Sequence, residues 1–93
     1  MQKRTMEVIN QRLSKKGIEP SIDLTMSHLI EEVGEIASQI NNGKLKRGVV
    51  NVHNIGEEIS DSILLLTYLA SQYNLDLEKT ISEKMEEITN KKI

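Results

Sequence analysis

Two short acidic segments carry the residues best suited to chemistry. The segment LIEEVGEI contains Glu32 and Glu35, and the segment GEEISDSILLL contains Glu58 and Asp61. Residues three apart lie on nearly the same face of a helix, so each pair presents two carboxylates side by side. Either pair alone is more simply a solvated face, since 28% of the chain is charged. Two pairs in matching positions on successive helices instead predict a site for a hard divalent cation.

The type of ligand limits which metal and which class of substrate the site can bind. Carboxylates without a neighbouring His or Cys suit Mg²⁺, or Mn²⁺, rather than zinc. Magnesium commonly joins a few carboxylates to substrate phosphates, so the pattern points to phosphate esters or anhydrides. A di-iron site needs Glu-x-x-His on two helices, and neither His28 nor His53 follows a Glu by three residues. The sequence has no GxxxxGK[ST] phosphate loop.

These carboxylates must be positioned by helices, because apolar residues recur at helical spacing and no segment has the pattern of a strand. We predict an all-α fold in a single domain spanning residues 1–93. The expected helices cover residues 2–16, from 21 or 23 to 40, from 51 or 54 to 73, and 77–91, with a loop at 41–50. Ser21 or Asp23 is the expected N-cap of the second helix and Asp76 that of the fourth, whose core spacing is Leu77, Ile81, Met85 and Ile88.

The second helix is predicted to have two distinct faces. Its apolar sector comprises Met26, Leu29, Ile30, Val33, Ile36, Ala37 and Ile40. The adjoining polar sector comprises His28, Glu32, Glu35 and Gln39. Gly34 costs about 1 kcal/mol relative to Ala in a helix interior. Two explanations of Gly34 are equally good: a ligand or another backbone approaches it closely, or it is a tolerated surface glycine.

Two further features bear on partners. The basic residues Lys44, Lys46 and Arg47 in the predicted loop serve solubility or lean over an anionic ligand. The third helix is apolar nearly all round at Ile63–Leu66, which indicates burial on more than one face. In so small a chain, a second subunit is the simplest cover, so we expect a bundle completed by oligomerisation.

Composition excludes several classes of protein. The chain has no Cys, Trp or Phe, which rules out disulfides, zinc–thiolate sites and iron–sulfur clusters. The first residues lack the apolar core of a signal peptide, and the longest apolar run is too short to span a membrane. A cytoplasmic protein without a membrane partner is therefore expected. A net charge of −2 and only two aromatic residues do not favour nucleic-acid binding.

The acidic motifs also carry a family resemblance. Glu32-Val-Gly-Glu35 followed by Glu58-Ile-Ser-Asp61 resembles the ExxE…ExxD signature of the MazG-like, all-α nucleoside triphosphate pyrophosphohydrolases. The similarity covers residues 27–92. It implies four-helix subunits, assembled as a homodimer or a dimer of dimers, that use Mg²⁺ to hydrolyse a nucleotide substrate to the monophosphate and pyrophosphate.

The resemblance also implies roles for individual residues. The implied metal ligands are Glu32, Glu35, Glu58 and Asp61; the implied catalytic residues are Glu31, which would orient or activate water, and Glu35; the implied phosphate contacts are Lys84, Asn90 and Lys91. The usual aromatic residue for stacking a base is missing, unless Tyr68 or Tyr73 supplies it. The alanine-rich sequence that the related phosphoribosyl-ATP pyrophosphatases have around the second acidic motif is also missing. The alternative function is a non-catalytic dimerisation or regulatory module that keeps the fold.

Overall fold

The computed structural model describes residues 2–15, 17, 21–45 and 50–91, without the side chains of 43–45. Over these residues the chain forms four helices and no strand, which confirms the predicted all-α class. The helices are α1 (Gln2–Lys15), α2 (Ile22–Leu45), α3 (Val52–Gln72) and α4 (Leu77–Asn90). No helix in the described ranges is long and apolar enough to cross a membrane.

Polar side chains fix where three of the helices begin. Each cap accepts a hydrogen bond from the backbone N–H three residues on: Ser21 from Leu24 at 3.0 Å, Asn51 from Asn54 at 3.1 Å, and Asp76 from Lys79 at 3.2 Å. These bonds satisfy amide groups that have no partner within the helix. Of the alternatives left open by the sequence, the caps are therefore Ser21 and Asn51.

The predicted end of α2 was wrong. The helix was expected to stop at Ile40 and a loop to begin at Asn41, but α2 continues to Leu45. Asn42 Nδ2 lies 3.4 Å from Ser38 Oγ one turn earlier, so the asparagine bonds along the helix instead of ending it. The side chains of the basic cluster, Lys44, Lys46 and Arg47, lie outside the described residues, and their two interpretations stay predictions.

The core is built around α3. Helix α2 packs against it on one side and α1 on another. The buried side chains of α3 include Thr67, Tyr68 and Ala70, and Leu29 of α2 is buried with them. Burial raises the pKa of Tyr68 and makes it a core residue of its own subunit, whereas Tyr73 is 63% exposed. Of the two tyrosines considered for stacking a base, only Tyr73 is accessible.

The start of α1 is tied to the connection between α3 and α4. The Gln2 amide donates to Leu75 O at 2.8 Å, and Gln2 Oε1 accepts from Leu77 N at 2.8 Å. This side chain therefore joins the start of α1 to the turn between α3 and α4. Asn74 has φ 55° in that turn, a left-handed conformation that asparagine adopts more readily than most residues.

The single chain leaves an unusual amount of apolar surface uncovered. Its accessible surface is 7514 Å², whereas a globular monomer of 10.6 kDa exposes about 5,500 Å². On α3, the side chains of Ile59, Ile63 and Leu66 are each more than two-fifths exposed. On α4, which the sequence predicts to pack through its apolar residues, Met85 is 58% exposed.

Candidate metal centre

Three glutamates from two helices meet where α2 packs against α3. Glu32, Glu35 and Glu58 each offer a carboxylate oxygen, and the three oxygens lie within 4.8 Å of one another. The spacing of three residues brings Glu32 and Glu35 to the same edge of α2, as the sequence indicated. The pairing of α2 with α3 then brings Glu58 to them. A like-charged cluster of this kind repels itself unless protons or a cation intervene.

The two oxygens of Glu58 have different surroundings. Gln39 Nε2 donates a 2.9 Å hydrogen bond to Glu58 Oε1, which links α2 to α3 beside the cluster. Glu58 Oε2 is buried and accepts a hydrogen bond from no donor in the part of the chain that the structure describes. Only a protonated Glu58 can share a hydrogen bond with the neighbouring carboxylate of Glu35. Burying a carboxylate oxygen without a hydrogen-bond donor costs free energy, so a proton or a cation at this atom would stabilise the fold.

The electrostatics of Glu58 agree with that geometry. A hydrogen bond shared with Glu35, partial desolvation and the charges of Glu35 and Glu32 raise the pKa of Glu58 from its ordinary 4.5 to about 7. In the metal-free protein Glu58 therefore holds a proton at a higher pH than an ordinary glutamate does. A bound cation would replace this proton, because metal-binding carboxylates are deprotonated.

A second contact lies at the edge of the cluster. His28 Nε2 is 3.3 Å from Glu32 Oε1, one helical turn away on α2. The Glu32 side chain is only 12% exposed, while that of His28 is 54% exposed. His28 thus lies at the solvent edge of the site and Glu32 lies deeper. Both belong to the polar sector that the sequence indicated.

The remaining predicted metal ligand stands apart. Asp61 is exposed and does not belong to the cluster of three glutamates. It lines a shallow depression on α3 together with His53, Gly56, Glu57 and Ser60. Asp61 follows Glu58 by about one turn on α3, the same spacing that brings Glu32 and Glu35 together on α2, so helical spacing alone does not account for its separation from the cluster. Its role as a ligand stays a prediction.

The other predicted site residues are also outside the cluster. Glu31 is exposed, and it precedes Glu32 by one residue, about 100° around the helix. On α4, Lys84 Nζ and Lys91 Nζ lie 3.5 Å and 2.8 Å from the same oxygen of Glu87. Asn90 is the exposed last residue of that helix. The roles of Glu31, Lys84, Asn90 and Lys91 stay predictions.

Gly34 lies between Glu32 and Glu35, the two glutamates that α2 contributes to the cluster. A Cβ atom built on it meets nothing within 4 Å, so no other part of the described chain approaches its backbone. Within one subunit this fits a tolerated surface glycine. A ligand or a second subunit is the remaining reason for a glycine at this position.

The cluster fits a hard divalent cation. Oxygen ligands lie at about 2.1 Å from Mg²⁺ and about 2.4 Å from Ca²⁺, so opposite ligands are about 4.2 Å or about 4.8 Å apart. The carboxylate oxygens of the cluster lie within 4.8 Å of one another, close enough to share one such ion. Glu32, Glu35 and Glu58 would hold the ion, and water or phosphate oxygens would supply its remaining ligands.

Comparison with known proteins adds one match. The family model described as the MazG nucleotide pyrophosphohydrolase domain matches residues 21–93, which is more than half of the chain and includes all three glutamates. No curated protein and no solved structure matches the chain.

Proposed function

The chain belongs to the MazG nucleotide pyrophosphohydrolase domain family, and from this we propose that it is a Mg²⁺-dependent nucleotide pyrophosphohydrolase. The proposed reaction cleaves an NTP or dNTP, non-canonical ones included, with water to give the nucleoside monophosphate and pyrophosphate. The observation that carries the proposal is the meeting of Glu32, Glu35 and Glu58, whose oxygens lie within 4.8 Å. This proximity supports a shared cation over a solvated acidic face.

The ion and the side chains of the protein have separate roles in the proposed reaction. When bound, Mg²⁺, or Mn²⁺ in its place, would supply positive charge against the triphosphate and lower the pKa of a bound water. Glu32, Glu35 and Glu58 would hold the ion, with Asp61 as a further candidate ligand. Glu31 and Glu35 are the proposed bases that orient the attacking water and take its proton.

The phosphate contacts belong to α4 in this proposal. Lys84 and Lys91 both reach Glu87, so each already has a carboxylate partner that a phosphate would displace. These are exposed ion pairs, which cost little to break. Asn90 adds a neutral donor at the end of the helix. We propose that these three residues contact the substrate phosphates.

The protein is further proposed to act as a homodimer or a dimer of dimers. Such an assembly would cover large apolar side chains that the single chain leaves exposed. The exposed apolar residues of α3 and α4 supply the character of such an interface. All three glutamates of the cluster come from one chain, so each subunit would carry its own metal centre.

The experiment that tests this function measures pyrophosphate release from a panel of NTPs and dNTPs, with Mg²⁺ or with a chelator. The proposal predicts release of pyrophosphate and monophosphate from at least one nucleotide with Mg²⁺, and none with chelator. Absence of turnover across the panel, with metal bound, favours the alternative of a non-catalytic dimerisation or regulatory module.

A further inference from the structure

The contact between Gln39 and Glu58 separates the two oxygens of one metal-binding carboxylate. Oε1 accepts the 2.9 Å hydrogen bond from Gln39 Nε2, and Oε2 is buried with no donor among the described residues. Gln39 is half-buried and lies one turn after Glu35 on α2, so it occupies the same face as the cluster. It bonds to a residue 19 positions away on another helix.

The orientation of the Gln39 amide follows from the charge of its partner. An ionised carboxylate only accepts hydrogen bonds, so the NH₂ group of the glutamine must face it. The hydrogen bond has a length typical of N–H···O contacts and its acceptor can be charged, which makes it stronger than a bond between neutral groups. This bond occupies one of the two lone pairs of Oε1 and holds the carboxylate plane, so recruiting Oε1 as a second metal ligand would compete with it.

We propose that Gln39 is a positioning residue that restricts Glu58 to binding a cation through Oε2 alone, and that it thereby favours Mg²⁺ or Mn²⁺ over Ca²⁺. This rests on the proposed function, since it presumes that the three glutamates hold a divalent ion. The inference concerns the choice of metal rather than the reaction itself.

The selectivity follows from how the cations use carboxylates. Ca²⁺ takes six to eight oxygen ligands and often binds both oxygens of one carboxylate. Mg²⁺ needs six ligands in near-octahedral geometry, keeps several waters, and is satisfied by one oxygen from each of one or two carboxylates. Weakening Oε1 as a ligand therefore costs Ca²⁺ more than Mg²⁺ or Mn²⁺.

The variant Gln39→Met tests this, because methionine matches glutamine in length and helix propensity but has no N–H donor. Mn²⁺ and Ca²⁺ affinities are measured by calorimetry on the metal-free protein. Loss of an outer partner of a metal ligand typically costs 10–100-fold in affinity, so Mn²⁺ should bind at least about tenfold more weakly. Ca²⁺ gains the freed Oε1, so the ratio of Ca²⁺ to Mn²⁺ affinity should rise by about tenfold.

The matched control is Gln11→Met on α1, where the glutamine is exposed. It should leave both affinities unchanged. If Gln39 served only to pack α2 against α3, its loss would weaken both metals alike and leave the ratio at the parental value. That result would overturn the proposal. Far-ultraviolet circular dichroism verifies the fold, and Gln39→Asn, with an amide one methylene too short, replaces the methionine variant if the latter unfolds.

The outcomes separate this inference from the proposed function. A parent protein that binds neither Mn²⁺ nor Ca²⁺ contradicts the metal centre itself. A parent that binds Mn²⁺, combined with an unchanged ratio in Gln39→Met, contradicts only the role of Gln39. A raised ratio with weakened Mn²⁺ binding supports both.

Discussion

Gln39 Nε2 lies 2.9 Å from Glu58 Oε1, and this hydrogen bond joins α2 to α3 at the edge of the acidic cluster. It leaves Glu58 with one satisfied oxygen and one buried oxygen that has no donor among the residues that the structure describes. When metal is absent, the like charges of the three glutamates therefore repel one another.

The metal-free protein should lose stability as pH rises from 4.5 to 7. The pKa of Glu58 is raised to about 7 in the folded protein and is near 4.5 in the unfolded chain, so the folded state binds more protons in between. The contribution of Glu58 protonation to the free energy of unfolding is fully present below pH 4.5 and is lost as pH rises through 7. Urea unfolding in chelator at pH 4.5, 6 and 8 measures it.

Glu58→Gln isolates this effect from other titrating groups. The amide keeps the shape of the side chain without its charge, so the variant should lack the Glu58 part of the pH dependence. At pH 8 it should be as stable as the metal-free parent or more stable. Glu86→Gln on α4 is the control and should keep the parental pH dependence. A Glu58→Gln protein clearly less stable than the parent at pH 8 would argue against repulsion in the cluster.

Divalent metal should stabilise the fold, because it binds the assembled glutamates and hardly binds the unfolded chain. At a concentration one hundred times its dissociation constant, the free energy of unfolding should increase by about 2.7 kcal/mol. Thermal unfolding with Mg²⁺, Mn²⁺ or NaCl at matched ionic strength measures the gain. Equal stabilisation by NaCl would show that screening, rather than a metal site, is responsible.

Much of the fold was predictable because its signals are local. The helix-capping residues Ser21, Asn51 and Asp76 and the spacing of apolar residues depend on a few neighbours in the sequence. The extra turn of α2 was missed because asparagine and glycine at 41–43 usually end a helix. Here Asn42 contacts Ser38 one turn earlier, and the helix continues to Leu45.

The site was predictable only in part, because it depends on how two helices face each other. Spacing identified Glu32, Glu35 and Glu58, but it gave equal weight to Asp61, which lies outside the cluster. Gln39 was placed in the polar sector with the glutamates, yet its partner on α3 was not recognised. Helical spacing specifies which residues share a face, but not which residue of the neighbouring helix they meet.

The protein should form a stable oligomer through the exposed apolar residues of α3. Ile63 is 47% exposed in the single chain, so a second copy is expected to cover it. Ile63→Glu would place a charge in that interface and should shift the protein to monomers or unfold it. Light scattering at micromolar concentration measures the change. A parent protein that is a folded monomer under these conditions would contradict the assembly.

Gly34→Ala should stabilise the metal-free protein by up to about 1 kcal/mol, since alanine is the better helix former. The added methyl group meets nothing within 4 Å in the described chain. Gly17→Ala is the contrasting variant and should destabilise, because Gly17 has φ +68°. Denaturant unfolding measures both. If Gly34→Ala instead destabilises, a second subunit packs against that position.

The most direct test of the account is Glu58→Gln in the presence of Mg²⁺, with metal binding and pyrophosphate release measured on the same sample. The nucleotide is one that the parent hydrolyses. We predict that the Glu58→Gln variant folds, loses most of its Mg²⁺ affinity and loses nearly all turnover. The Glu86→Gln variant should behave like the parent. A Glu58→Gln protein that binds Mg²⁺ and releases pyrophosphate at the parental rate would contradict the metal centre.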